Sequence, residues 1–448
     1  MGAVGEIIAK YVSSLDLASI PAEVIEKTKM CLLDTLSVAV AGSQSKEARI
    51  VQSVVSRLGG APEATVINSE TRLPAPNAAL INATMAHSLE LDDTDRYTYY
   101  HPGAPIIMAA LAVAEARGCS GKRLLEGILA GYEVSIRIAE AVNPAHRWRG
   151  FHTTGTVGTF GAGIACAKIL GLEPPKIVST LGISGTQAAG LFEFLQDGSM
   201  TKRFHPGKSA WNGIMAAYLA EAGFTGPATI LEGENGFLRA TSDGADISRL
   251  ADGLGEAFRI MRVGIKRHAA CRYCHTSIDA ALEIKDTYNP YIKDIEKIEV
   301  YVSKLCARQT GKADASTLLA AQLSTPYSVA LALAKGEAGI DAFLSGLSDP
   351  EVISLMQKVE VREHGEFGET GRQALVRVRT RGRGCLEKRV DLAKGEPENP
   401  LTPMEFKEKI RGLCSSILGE EKTGALLSFI SGIEREESLG RLFSLLKN

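Results

Sequence analysis

Ile298-Glu299-Val300-Tyr301-Val302 places an apolar side chain at every second position, the period of a strand with one buried face. Nearly everything before about Phe258 has the other period. Apolar residues recur at helical spacing in Ala22 to Ala41, Pro105 to Arg117, Gly127 to Val142 and Thr159 to Ile169, and Gly118, Gly171 and Gly223 stand where such helices would end in the left-handed conformation. Beyond Val302, Val359-Glu360-Val361 and Leu375-Val376-Arg377-Val378-Arg379 alternate again, and Arg381-Gly382-Arg383-Gly384 reads as a hairpin turn into Leu386 to Leu392. Ser277 to Tyr288 and Pro326 to Ala334 keep helical spacing between them. Helix returns at Thr402-Pro403-Met404-Glu405, which has capping-box spacing after the Gly395 to Pro400 linker. The expected fold is therefore mainly α: a large all-helical domain formed by both chain ends, 1–262 and 399–448, with an inserted α+β domain, 263–398, carrying an antiparallel sheet. A cleft between two such domains is the expected place for a ligand.

At 448 residues the chain exceeds what one hydrophobic core usually serves. A net charge of −2 gives no field for nucleic acid or an anionic membrane, so any positive potential must be local. No stretch reaches the roughly 20 apolar residues that span a bilayer, and the N-terminus lacks the basic-then-apolar pattern of an export signal. A cytoplasmic location is expected. Eight cysteines, scattered as at Cys31, Cys166 and Cys414, are too sparse for a secreted disulfide framework.

Four stretches gather polar chemistry in this greasy chain. Met200 to Ala210 packs Lys202, Arg203, His205 and Lys208 around a Pro206-Gly207 break between apolar elements, where cations normally meet an anion; a solvated basic loop is the bland alternative. Glu90-Leu91-Asp92-Asp93-Thr94 precedes His101-Pro102-Gly103, and a Pro after the His sets that residue at a break opening the next helix. An acidic loop or a metal site without a fixed ligand pattern would read alike. Gly150 to Thr156 sets His152 among hydroxyls and glycines at a helix start, suited either to an oxyanion or to simple capping.

The fourth stretch, Lys266 to Ser277, contains Cys271-Arg272-Tyr273-Cys274-His275, the spacing of a c-type haem attachment, which the missing export signal opposes. An iron–sulfur cluster on Cys271, Cys274 and a remote cysteine is another reading. The plainer one has Lys266, Arg267, Arg272 and His275 supply positive charge where the chain changes domain.

Taken together, His87-Ser88-Leu89-Glu90-Leu91-Asp92-Asp93-Thr94 with His101-Pro102-Gly103, Gly150-Phe151-His152 with Thr154-Gly155, Met200-Thr201-Lys202-Arg203 with His205-Pro206-Gly207, Leu231-Glu232-Gly233 with Gly236-Phe237, and Cys271-Arg272-Tyr273 with His275 resemble the MmgE/PrpD family, in order along nearly the whole chain. The family includes 2-methylcitrate dehydratases, cis-aconitate decarboxylases and iminodisuccinate epimerases. The resemblance implies a homodimer of helical domain and smaller α+β lid, small di- or tricarboxylate substrates, and no metal or organic cofactor. Carried over, the polar pocket falls on Thr94, His101, His152, Lys202, Lys266, His275 and Tyr327, the last in Gln322-Leu323-Ser324-Thr325-Pro326-Tyr327. Glu90 stands where the family usually has Asp, so it reaches further toward the acid or merely orients His101.

The shared chemistry is proton removal next to a carboxylate, which needs stabilised negative charge. The resemblance puts Lys202 and Lys266 in that role, with Arg203 and Arg272 behind them, and Glu90, Asp93, Thr94 and His275 among the groups that bind substrate. A neutral His suits proton transfer at neutral pH, so His101 is expected as base or acid, with His152 or Tyr327 as its counterpart. Dehydration of a 2-methylcitrate- or citrate-like acid is the leading expectation. Epimerisation, decarboxylation and binding without catalysis are the alternatives.

Overall fold

Small side chains set the spacing of the helices in the first unit. The helices concerned are α1 (Ala22–Gly42), α2 (Ala75–His87), α3 (Gly103–Ala116), α4 (Gly121–Val142), α5 (Thr153–Leu170), α6 (Pro174–Gln187) and α7 (Thr201–Glu221). A Cβ on Gly213 of α7 would stand 2.5 Å from the Ala162 methyl and 2.6 Å from the backbone N of Gly163 on α5, so only glycine permits that approach. α5 is buried on every face from Thr153 to Ile169 and touches α3, α4, α6 and α7. A helix without a polar face belongs inside a bundle, and α5 is its axis.

In this computed structural model, which describes residues 3–447, the chain forms two compact units. One takes in the described residues up to Ser88, Asp92–Gly264 and those from Pro403 onward; the other takes in Leu89–Leu91 and Ile265–Thr402. The molecule is mainly α. The first unit is not purely helical, because β1 (Ala64–Thr65) and β2 (Arg72–Leu73) pair antiparallel. No helix among the described residues is long and apolar enough to cross a membrane.

Gly118, Gly171 and Gly223 have positive φ at or just past the ends of their helices, as their positions suggested. Two helices begin earlier than periodicity indicated, α4 because Ser120 caps the Arg123 N–H and α5 because its Gly- and Thr-rich first turns are packed on all sides. The Pro206-Gly207 pair does not break α7, which runs through it from Thr201. Pro206 lies near the helix start and withholds only the N–H that would have reached the Lys202 carbonyl.

The second unit is built on β3 (Ile295–Val302), with α8 (His275–Tyr288), α9 (Thr325–Lys335), β4 (Val359–Glu363), β5 (Ala374–Thr380) and β6 (Gly384–Val390). Strand order is β4-β3-β5-β6. The β3–β5 and β5–β6 pairs are antiparallel, but β3 and β4 run parallel, with Val300 opposite Val361. The expected all-antiparallel sheet is corrected there. The connection from β3 to β4 is a helical crossover through α9 and its neighbours, which returns the chain in the same direction. Helix α8 packs on β5 and β6 and contacts α9.

Candidate active site

His87 closes α2, and its ring is fully buried. Its Nδ1 lies 2.6 Å from Asp92 Oδ2. Because a carboxylate oxygen accepts, Nδ1 donates. The same Oδ2 is 3.8 Å from His101 Nδ1, and the His87 and His101 rings meet edge-on with centroids 5.2 Å apart. His101 Nδ1 is 2.8 Å from the Asp93 carbonyl oxygen, which also only accepts, so His101 carries a proton on Nδ1. The His101 backbone N–H donates to Thr154 Oγ1 at the head of α5.

The Asp93 side chain holds the turn below. Its Oδ1 accepts the Gly103 N–H at 2.9 Å and its Oδ2 the Tyr132 hydroxyl at 2.6 Å. Burial dominates the carboxyl's titration and, with the nearby Asp92 charge, raises it to about 7 against the pull of those two bonds. Gly103 has no room for a side chain: a Cβ would stand 2.5 Å from Thr35 Oγ1, 2.7 Å from Asp93 Oδ1 and 2.9 Å from the Tyr132 hydroxyl. Thr94 is fixed through its backbone, which exchanges hydrogen bonds with Gly264.

His152 precedes α5 with its backbone N–H on the Gly190 carbonyl. Its ring centroid is 6.1 Å from that of His87, and its Nδ1 is 2.8 Å from His205 Nδ1 on α7. Phe192 and Phe194 close over it edge-on. Burial, then the fields of His205, His87, Lys202 and His101, hold the His152 ring neutral far below the usual imidazole range. Burial likewise lowers His205 to about 4. Lys202 is buried in the first turn of α7, and its neighbour Arg203 pairs with Glu47. The first unit thus brings His101, His152 and Lys202 together above the Asp93–Thr94 turn, while Arg203 is turned to Glu47.

The second unit carries Glu90, Lys266, Arg272, His275 and Tyr327. Lys266 Nζ is fully buried, donating to the Glu90 carbonyl at 3.0 Å with the Glu90 carboxylate 3.7 Å away. Glu90 is left-handed at φ 54°, and Gln322 Nε2 bonds the preceding Leu89 carbonyl at 2.8 Å. Arg272 donates to Glu396 at 2.8 Å and to His275 Nδ1 at 2.9 Å. His275 Nε2 then donates to the Ala270 carbonyl, which makes it a neutral ring with both nitrogens engaged. Burial, then Arg272, keeps it far below its ordinary range. Tyr327 is buried and gives its hydroxyl to the Phe343 carbonyl at 2.8 Å.

The cysteine-rich stretch does not gather ligands: among the described residues no three His, Cys, Asp or Glu side chains are placed to hold a metal ion. Burial pushes the Cys306 thiol up to about 11 and the Cys274 thiol higher still, which disfavours thiolate there.

Sequence reading missed Tyr132, Glu396 and the buried His268–Asp279 pair, joined at 2.8 Å. Tyr132 and Asp279 lie within helices, Glu396 in a linker, and His268 at a bend inside the Lys266 to Ser277 stretch, none with a motif of its own. A buried-charge argument for Asp93 and Arg272 would have demanded partners without naming them.

The MmgE/PrpD N-terminal domain matches residues 6–250 and the MmgE/PrpD C-terminal domain residues 268–431. Among curated proteins, the cis-aconitate decarboxylase-like protein oryM of Aspergillus oryzae is 26% identical, covering 98% of this chain and 96% of its own length. Cis-aconitate decarboxylase of Aspergillus terreus is 26% identical over 98% of this chain and 95% of its own. The human cis-aconitate decarboxylase is 26% identical over 99% and 94%.

Proposed function

The chain belongs to the MmgE/PrpD family, and on that premise we propose that it is a lyase of a small polycarboxylate, working without a cofactor through proton transfer next to a carboxylate. One observation carries the reading. His101, which holds a proton on Nδ1 against the Asp93 carbonyl, stands in a cluster with the buried His87, and His87 in turn stands beside the neutral His152. General acid–base transfer by such groups contributes about 10²–10⁴-fold to a rate. Lys202, buried nearby, supplies positive charge for the carboxylate on which negative charge grows. We assign the proton to His101 and His152 rather than to Tyr327, whose hydroxyl is spent on Phe343.

Two finer reactions use the same groups. In decarboxylation the bond to one carboxylate breaks, CO₂ leaves, and the electron pair remaining on carbon takes a proton that His101 has drawn from solvent. In dehydration His101 takes a proton from the carbon next to a carboxylate, and the imidazolium so formed returns it to the departing hydroxyl to release water. The relatives' names favour decarboxylation of a cis-aconitate-like acid. Dehydration of citrate or 2-methylcitrate is the second reading, favoured by Glu90, whose longer carboxylate beside Lys266 departs from the family's usual Asp and would change which acid is accepted.

Proton NMR in D₂O with cis-aconitate, citrate, 2-methylcitrate, malate and iminodisuccinate tests this. Loss of CO₂ with deuterium in the product supports decarboxylation, and new vinyl signals from a saturated acid support dehydration. Exchange without net change points to an epimerase, and silence with every acid contradicts the proposal. We place the enzyme in the cytoplasm as a homodimer on the family likeness; light scattering giving one chain's mass of 47.7 kDa would contradict the dimer.

A further inference from the structure

His87 has two ring nitrogens and only one engaged. Nδ1 donates to Asp92 at 2.6 Å, while Nε2 is buried with no hydrogen-bond partner among the described residues. A fully buried nitrogen left this way costs free energy that a ligand atom would recover. Its surroundings name the ligand's charge. The rings of His101 and His152 stand 5.2 and 6.1 Å from that of His87, and the fields of Lys202 and of His87 both reach His152 and His205. The acids facing it are Asp92, already bound to Nδ1, and Asp93, whose side chain is turned to Gly103 and Tyr132.

We propose that His87 is a substrate-binding residue whose Nε2 takes up a proton from solvent as the ligand binds and pairs with one carboxylate of a polycarboxylate. The imidazolium then lies between two carboxylates, Asp92 at Nδ1 and the substrate at Nε2, and its charge is balanced on both sides. The inference rests on the polycarboxylate reading above.

The test is calorimetric binding of citrate and cis-aconitate at pH 7.5 in two buffers of different ionisation enthalpy, with the native protein and His87→Gln. Native protein should take up about one proton per bound acid, and His87→Gln should bind at least about tenfold more weakly without that uptake, with a flattened pH dependence of KM. Equal affinity and equal uptake in His87→Gln would overturn the inference. Should that variant fail to fold, a crystal structure of native protein with citrate decides: a carboxylate oxygen at about 2.7–3.0 Å from His87 Nε2 supports the inference, and a bound citrate elsewhere refutes it. Native protein that binds none of the panel acids refutes the polycarboxylate reading itself. Binding and turnover with His87 untouched refutes only this role.

Discussion

His152 Nδ1 and His205 Nδ1 face each other across 2.8 Å, a distance that admits one proton between them, so one ring donates, the other accepts, and both cannot be cations. Burial already lowers His205 to about 4 and holds His152 well below its ordinary range. The unfolded chain protonates these rings near 6.5, so below that pH it binds more protons than the folded state. Their contribution to stability is present above pH 6.5 and is lost as pH falls toward 4. His205→Gln should therefore shrink the drop in Tm between pH 7 and pH 5, measured by scanning fluorimetry. An unchanged drop would remove His205 from the acid sensitivity.

Asp93 has the opposite sign. Its folded value of about 7 lies above the carboxylate's ordinary value, so its contribution is full at low pH and is lost as pH rises toward and through 7. Asp93→Asn, which mimics the protonated acid toward Tyr132 and Gly103, should lessen the fall in Tm between pH 6 and pH 8. A parallel shift at both pH values would mean that Asp93 does not titrate there.

Gly103→Ala should destabilise by about 1–3 kcal/mol through overpacking against Thr35, Asp93 and Tyr132. Because the same turn carries His101, turnover should fall by more than the loss of folded protein accounts for. Urea unfolding and kcat on the same preparation separate the two effects.

Glu90 and Lys266 should be coupled. Losing the Glu90 charge leaves the fully buried Lys266 with one fewer counterweight, at a cost of about 1–3 kcal/mol in Glu90→Gln. The double variant with Lys266→Met should recover part of it, giving a coupling energy above about 0.5 kcal/mol in a double-mutant cycle. Glu90→Asp should fold as well as the parent, since Asp adopts the left-handed region more readily than Glu. Strict additivity in the cycle would mean the 3.7 Å approach carries no energy.

Much of this was legible in the chain. The switch of hydrophobic period at β3, the glycine stops and the hairpin at Arg381 to Gly384 are local signals, and each appears where its residues stand. The parallel β3–β4 pair was not legible, because strand direction depends on the length of helix between Val302 and Val359 rather than on either strand. At the site, His101 and His152 announced themselves through the breaks that hold them. Tyr132 did not, since a tyrosine at helical spacing on α4 looks like core until the buried Asp93 is found against it. The Leu89 to Leu91 segment joins the second unit although its flanks belong to the first, a tertiary choice set by Lys266 and Gln322.

Proton transfer by His101 is tested by kcat of His101→Ala, set beside His152→Ala, on whichever acid the NMR panel identifies, with folding checked by Tm and ligand affinity by calorimetry. Proton transfer by these imidazoles predicts a fall of at least about a hundredfold in His101→Ala with affinity changed far less. A folded His101→Ala enzyme that turns over within about threefold of the parent would contradict it.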